Sequence, residues 1–179
     1  MLPCPTSILA ISGSLRAHSS NTAILHLLAK LAPATVDIQI YEGIGSLPHF
    51  SPELDGDNAP DVVKDFRGQV RAADGIVICT PEYAFGVPGV LKNALDWTVG
   101  SADFDQKPVA VITASLSGEY AHESLLLTLK ALNAKVIENA TLLIPFIRSK
   151  MDADGNVKDA ATLELLQAVA DELVAAVQK

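Results

Sequence analysis

Apolar residues in this chain alternate between two patterns: short continuous runs, and longer stretches spaced three and four residues apart. Ser7-Ile8-Leu9-Ala10-Ile11-Ser12 is a run of the first kind that stops at Gly13, as expected of a strand buried on both faces of a parallel sheet. Beyond Asn21, Ile24, Leu25, Leu28 and Leu31 recur at helical spacing, and that helix is expected to end near Pro33. Val36 to Tyr41 alternates apolar with polar side chains, which suits a strand near a sheet edge. Ile76 to Thr80 and Pro108 to Thr113 repeat the buried-strand pattern, and Lys135 to Ile144 supplies a fifth strand. Between them, helices are expected over about Asp61–Ala73 (Val62, Phe66, Val70 and Ala73 on one face), Gly89–Val99, Ala121–Asn133 and Asp159–Gln178. In the last of these, Leu163, Leu166, Ala170, Leu173 and Val177 form one stripe.

Five strands alternating with five helices, with no repeat or internal linker, imply an α/β fold. Each crossover must be right-handed and pack back onto a parallel sheet, so the expected architecture is one three-layer αβα domain over residues 1–179. With five strands, the economical doubly wound order is 2-1-3-4-5. That order makes the first and third strands neighbours whose following helices lie on opposite faces. It therefore opens a crevice between the loop after Ser12 and the loop after Thr80. The one long loop, Gly43 to Pro60, is rich in proline and glycine, and long loops in compact domains are often functional.

Composition narrows the classes of partner. A net charge of −8 and a pI near 4.8 argue against nucleic acid or an anionic membrane as partner, since binding either rests largely on basic side chains. No run of about 18 apolar residues and no basic leader appears, so neither a membrane span nor a signal peptide is expected. Cys4 and Cys79 form no disulfide framework, and a reducing cytoplasm is the default expectation. Cys79 lies inside an apolar run and is expected to be a buried structural thiol.

The loop Gly13-Ser14-Leu15-Arg16-Ala17-His18-Ser19-Ser20-Asn21 joins a strand to a helix N-terminus and carries three serines and one guanidinium. Free amides at the positive end of a helix dipole, hydroxyls and a planar cation are what a phosphate needs. Helix capping by Ser19, Ser20 or Asn21 is the competing explanation, and it leaves Ser14 and Arg16 unaccounted for. With Gly13 the only glycine, the loop is neither G-x-G-x-x-G nor a P-loop, so a phosphomonoester fits better than a pyrophosphate. The second loop, Thr80 to Gly89, places Tyr83 and Phe85 at the same edge, where they can meet a flat heterocycle or cap the core. The third, Thr113 to Tyr120, is expected to close the far side of the crevice.

These residues resemble the NADPH-dependent FMN reductase family, flavodoxin-like proteins that include quinone, chromate and azo-dye reductases. The family's phosphate loop, G-S-L-R-x-x-S-x-N, is matched by Gly13, Ser14, Leu15, Arg16, Ser19 and Asn21. Its flavin motif, P-E-Y-N-x-S-x-P-G-x-L-K-N-A-x-D-W, is matched by Pro81, Glu82, Tyr83, Pro88, Gly89, Leu91, Lys92, Asn93, Ala94, Asp96 and Trp97. Ala84 and Gly86 stand where the family has Asn and Ser, and Ser117-Gly118-Glu119-Tyr120 where it usually has paired glycines.

The resemblance implies FMN as cofactor and NADPH or NADH as electron donor, with ping-pong hydride transfer through flavin N5 to a small-molecule acceptor. It implies cofactor contacts at Ser14, Leu15, Arg16, Ser19, Ser20, Asn21, Pro81, Glu82, Tyr83, Ala84, Phe85, Ser115 and Gly118. No protein acid, base or metal is required, and a homodimer or homotetramer is implied. Two other readings remain: a flavodoxin-like electron carrier, and a family member that has lost flavin. Elsewhere, Lys92 and Asp96 are spaced to pair on a helix, Trp97 is expected in the core or a subunit interface, and Asp152 to Asn156 reads as a turn.

Overall fold

The computed structural model describes residues 6–178, so Cys4 lies outside it. The chain runs β1 (Thr6–Ser12), α1 (Ser20–Leu31), β2 (Val36–Ile40), α2 (Asp61–Ala72), β3 (Gly75–Thr80), α3 (Gly89–Asp96), β4 (Pro108–Ala114), α4 (Glu119–Ala131), β5 (Lys135–Ile144) and α5 (Ala160–Val177). All five strands are parallel, in the order β2-β1-β3-β4-β5, as the alternation of patterns implies.

The continuous apolar runs are explained by a core on each face of the sheet. Leu9 and Ile11 of β1, Ile76 and Ile78 of β3, and Val109 and Val111 of β4 pack on one side with Val63, Phe66 and Val70 of α2, Leu91 and Leu95 of α3, and Leu125 and Leu129 of α4. The intervening residues, Ile8, Ala10, Val77, Cys79, Ala110 and Ile112, pack on the other side with Ile24, Leu25 and Leu28 of α1 and Leu166, Val169, Ala170 and Leu173 of α5. Because side chains alternate across a strand, only a strand apolar at every position can serve both layers. The edge strand β2 buries Val36 alone, in keeping with its alternating sequence.

Two expectations are corrected. The Gly43–Pro60 segment is not an irregular loop. It forms three short 3-10 turns and packs down over α2 and α3, burying Ile44, Leu47 and Ala59. Trp97, fully buried, donates from Nε1 to the Pro48 carbonyl (2.8 Å), and Asn93 Nδ2 donates to the same oxygen (2.9 Å). Arg67, buried on α2, donates to the Trp97 carbonyl and pairs with Asp55 of the segment at 2.5 Å. The sequence shows the prolines and glycines that break regular structure. It does not show Arg67 and Trp97 reaching back to hold the segment.

The second correction concerns α3, which ends at Asp96 rather than near Val99. Thr98 Oγ1 donates to the Leu95 carbonyl (2.7 Å) and Arg67 takes that of Trp97, so side chains occupy the acceptors a longer helix would use. In α2, Val63 is fully buried in the core with the partly buried Val62 packed against it, and Ala73 is buried just beyond the helix end. Lys92 and Asp96 do pair, at 2.6 Å. Asp152 Oδ1 accepts from the Asp154 and Asn156 amides, making the expected turn.

Candidate active site

Helix α1 covers one face of the sheet and α3 the other, so the chain diverges between the ends of β1 and β3 and leaves a crevice at their carboxyl edge. The β1–α1 loop starts against β3. Gly13 N–H donates to the Cys79 carbonyl (2.9 Å), and a Cβ on Gly13 would fall 2.3 Å from Thr80 Oγ1. Glycine is required here by proximity. Beyond it, Ser12 Oγ meets Thr22 Oγ1 at 2.9 Å and accepts from Ser14 N–H at 3.3 Å, while Ser14 Oγ accepts from Arg16 N–H at 3.4 Å.

Ser19 occupies the N-cap of α1 without making a side-chain capping bond, although only 6% of the residue is exposed. Capping therefore does not explain the serine, and the first-turn amides of α1 have no side-chain acceptor. Asn21 is committed to structure. Its Nδ2 donates to the Ala114 carbonyl and its Oδ1 accepts from Cys79 Sγ, both at 3.3 Å. Burial pushes the Cys79 thiol far up, so it is the inert structural group the apolar run implies.

The β3–α3 loop turns tightly. Tyr83 and Gly86 exchange both backbone hydrogen bonds (3.1 and 3.0 Å), with Ala84 at φ 48° and Phe85 at φ 59°, a two-residue turn of the mirror-image type. Phe85 stands out in solvent and meets Tyr120 of α4 edge to face, ring centroids 5.2 Å apart. Glu82 looks elsewhere. Its N–H donates to Ser115 Oγ (3.1 Å), and its carboxylate accepts from Ser117 Oγ (3.0 Å), Ala121 N–H (3.0 Å) and Gly118 N–H (3.4 Å), capping α4. Burial raises the Glu82 pKa, but these donors together outweigh burial and hold it below the usual carboxylate range. Gly118, at φ 97° and with no room for a Cβ between Leu143 and Thr113, starts that helix.

A cavity of about 350 Å³ lies at this edge, within the range of roughly 300–1,000 Å³ usual for small-molecule sites. Of the expected residues, Ser14, Arg16, Ser19, Ser20, Asn21, Pro81, Glu82, Tyr83 and Ser115 line it. Leu15 does not; with Gly13, Pro88, Gly89 and Val90 it lines an adjoining depression that shares Arg16 and Tyr83. Ala84, Phe85 and Gly118 line neither. His18 and His26 border a separate hollow, and among the described residues no group of three His, Cys, Asp or Glu could hold a metal.

The remaining wall escaped the sequence reading. Phe146, Ile147 and Arg148, in the loop after β5, reach the cavity because Phe146 N–H bonds the Leu116 carbonyl (3.1 Å) and Ile147 N–H bonds the Ser115 carbonyl (3.2 Å). Nothing in their local sequence marks them. Only their place after a strand at the carboxyl edge could have nominated them.

The model of the family described as NADPH-dependent FMN reductase matches residues 6–148, from β1 to the far wall of the cavity. The chain belongs to that family.

Among its relatives, a 2-hydroxy-1,4-benzoquinone reductase of Burkholderia sp. is 36% identical over 94% of each chain. A quinone reductase of Escherichia coli K12 is 34% identical over 89% of this chain and 88% of the relative. Among solved structures, FerB of Paracoccus denitrificans, a flavoenzyme NAD(P)H:(acceptor) oxidoreductase, superposes with a TM-score of 0.84 at 30% identity over 97% of both chains. No described helix is long and apolar enough to cross a membrane. The family's asparagine after Glu-Tyr now has a physical reading. The position adopts a left-handed backbone, which asparagine accepts at lower cost than the alanine present here.

Two predictions follow from this geometry. Ala84→Asn should stabilise the protein by roughly 0.5–1 kcal/mol by relieving the left-handed strain, measured by urea denaturation; an unchanged or lower midpoint would count against strain at this turn. The Glu82 carboxyl binds its proton less readily folded than unfolded. Its contribution is therefore complete above the unfolded value near pH 4.5 and is lost as pH falls through the lower folded value. Glu82→Gln should melt below the wild type at neutral pH, and the two should converge in Tm on acidification. A constant gap across that window would show that the carboxylate charge is not what holds α4.

Proposed function

We propose that this chain is an FMN-dependent NAD(P)H oxidoreductase that reduces quinones, flavins or similar small acceptors, with FMN seated by its phosphate at the N-terminus of α1. Family membership supports the activity. The seat rests on one observation above others: Ser19, a residue only 6% exposed whose hydroxyl makes no capping bond, beside Ser14, Ser20, Arg16 and the first-turn amides of α1, on the lining of a cavity of suitable size. The donor set fits a phosphomonoester. FMN, once bound, supplies the hydride chemistry; the protein's task is binding, orientation and control of the electrostatic surroundings.

Each element has a role in that task. Arg16 offsets phosphate charge, and the α1 dipole adds to it. The loops after β3 and β4 offer the flavin ring an edge built from Pro81, the Glu82 and Tyr83 backbone, and Ser115. Because the Glu82 carboxylate is turned onto α4, it keeps that edge in register without presenting a free negative charge to the ring. Glu119 opens α4 and lies outside the cavity lining, so its charge does not crowd the site.

Tyr83, Phe85, Leu116, Tyr120 and Phe146 are all exposed around this edge. A flat acceptor can stack there, and the exposure of such an apolar rim supports the homodimer or homotetramer implied by the family. The electron-carrier reading is less well supported, since Arg16 and the open cavity suit exchange of small reactants.

The test is spectroscopic. The purified chain should take up FMN and show its visible band, NADPH or NADH should bleach it under anaerobic conditions, and a quinone should restore it. Failure to take up FMN overturns the proposal, and bound FMN that neither nucleotide bleaches would leave the carrier. Arg16→Ala should weaken FMN binding by about 1.5–3 kcal/mol, a roughly ten- to hundredfold rise in Kd. An unchanged Kd would remove Arg16 from the phosphate site.

A further inference from the structure

The chain has four arginines. Two are neutralised by carboxylates, Arg67 by Asp55 at 2.5 Å and Arg71 by Asp103 at 2.7 Å. The other two, Arg16 and Arg148, have no carboxylate partner among the described residues, and both line the same cavity. In a chain of net charge −8, leaving these two guanidiniums unpaired on the lining of one cavity, one from the loop after β1 and one from the loop after β5, concentrates positive charge there. The cavity's one acidic lining residue, Glu82, has its carboxylate held by three donors on the α4 side. The α1 N-terminus adds its partial positive charge, and Ser19 its unpartnered hydroxyl.

The turn that carries Arg148 is held on several sides. Phe146 adopts φ 54°, Ser149 Oγ donates to the Phe146 carbonyl at 2.8 Å, and Ile147 is buried in the core beneath. The two backbone bonds to Leu116 and Ser115 fix the turn to the next loop. A left-handed non-glycine residue flanking an unpaired arginine is a local cost that the surrounding contacts sustain.

We infer that Arg148 is a binding residue of this site, acting with Arg16 as a pair of guanidiniums that receives a phosphomonoester in the cavity. Such a group carries a charge of about −1.5 to −2 at pH 7, which two cations match better than one. The inference rests on the proposed FMN site and extends it to a residue outside the two matched motifs. Two reactants can supply the phosphate: FMN itself, or the ribose 2′-phosphate that distinguishes NADPH from NADH.

Equilibrium binding to the wild type and to Arg148→Gln separates these sources without using turnover. The probes are FMN against riboflavin, which lacks the phosphate, and 2′,5′-ADP against 5′-AMP, which lacks the 2′-phosphate. A rise of about tenfold in the Kd for FMN, with riboflavin unmoved, assigns Arg148 to the flavin phosphate. The same rise for 2′,5′-ADP, with 5′-AMP unmoved, assigns it to the electron donor. Either result makes Arg148 a phosphate-binding residue, the first in a pair with Arg16 and the second apart from it, and Arg148→Lys should recover part of the loss. If no phosphate-bearing probe weakens, or if each weakens together with its phosphate-free counterpart, Arg148 is not a phosphate receptor. Wild-type preference for FMN over riboflavin tests the underlying flavin site separately. Its absence would overturn that site, while the nucleotide pair would still decide Arg148.

Discussion

The contact between Gly13 and the end of β3 sets the geometry of the whole site. The sheet reverses its winding between β1 and β3, so the loops leaving these strands part to opposite faces, and the crevice between them is only as narrow as the loop crossing allows. With no side chain on Gly13, its backbone lies against Thr80 and hydrogen bonds the Cys79 carbonyl. Asn21 then extends the tie across the end of the sheet, from the Cys79 thiol to the Ala114 carbonyl. Helix α1 is thereby held with its N-terminus over the crevice. A wider crossing would still allow the fold but would leave the amides, serines and Arg16 aimed at no common point.

Opposite that N-terminus, the walls are linked to one another rather than built independently. Glu82 joins the loop after β3 to the start of α4, Ser115 accepts from the Glu82 amide, and the loop after β5 pairs with the loop after β4. Binding sites on rigid scaffolds depend on such support, because a first layer of contacts left unheld loses its orientation. The left-handed residues Ala84, Phe85 and Phe146 lie in these same loops. Strain kept in place by surrounding bonds is common at binding sites, and here it accompanies the segments that shape the cavity and its rim.

Charge is distributed in keeping with this. The surface is acidic overall, yet the cavity holds two unpaired guanidiniums and a helix N-terminus, while its one carboxylate is spent on a neighbouring helix. An anionic ligand is repelled by most of the molecule and attracted at one place, which favours selective entry over non-specific adhesion.

The sequence by itself determined the layered architecture, because strands apolar at every position can be satisfied only between two helical layers, and the alternation of elements leaves few right-handed ways to connect them. It also marked the candidate phosphate loop, whose residues are consecutive and whose chemistry is local to one helix start. Tertiary structure decided what depends on distant partners. The Glu82 carboxylate holds α4, Asn21 ties α1 to the ends of β3 and β4, and Gly118 is a helix cap, because each has its hydrogen-bonding or steric partner more than twenty residues away or on another strand. The Gly43–Pro60 segment became a packed cover through Arg67, Asn93 and Trp97. Arg148 reached the cavity through a backbone pairing between two loops that no local pattern announces. Periodicity is a property of neighbours along the chain, whereas a cavity wall is a property of neighbours in space.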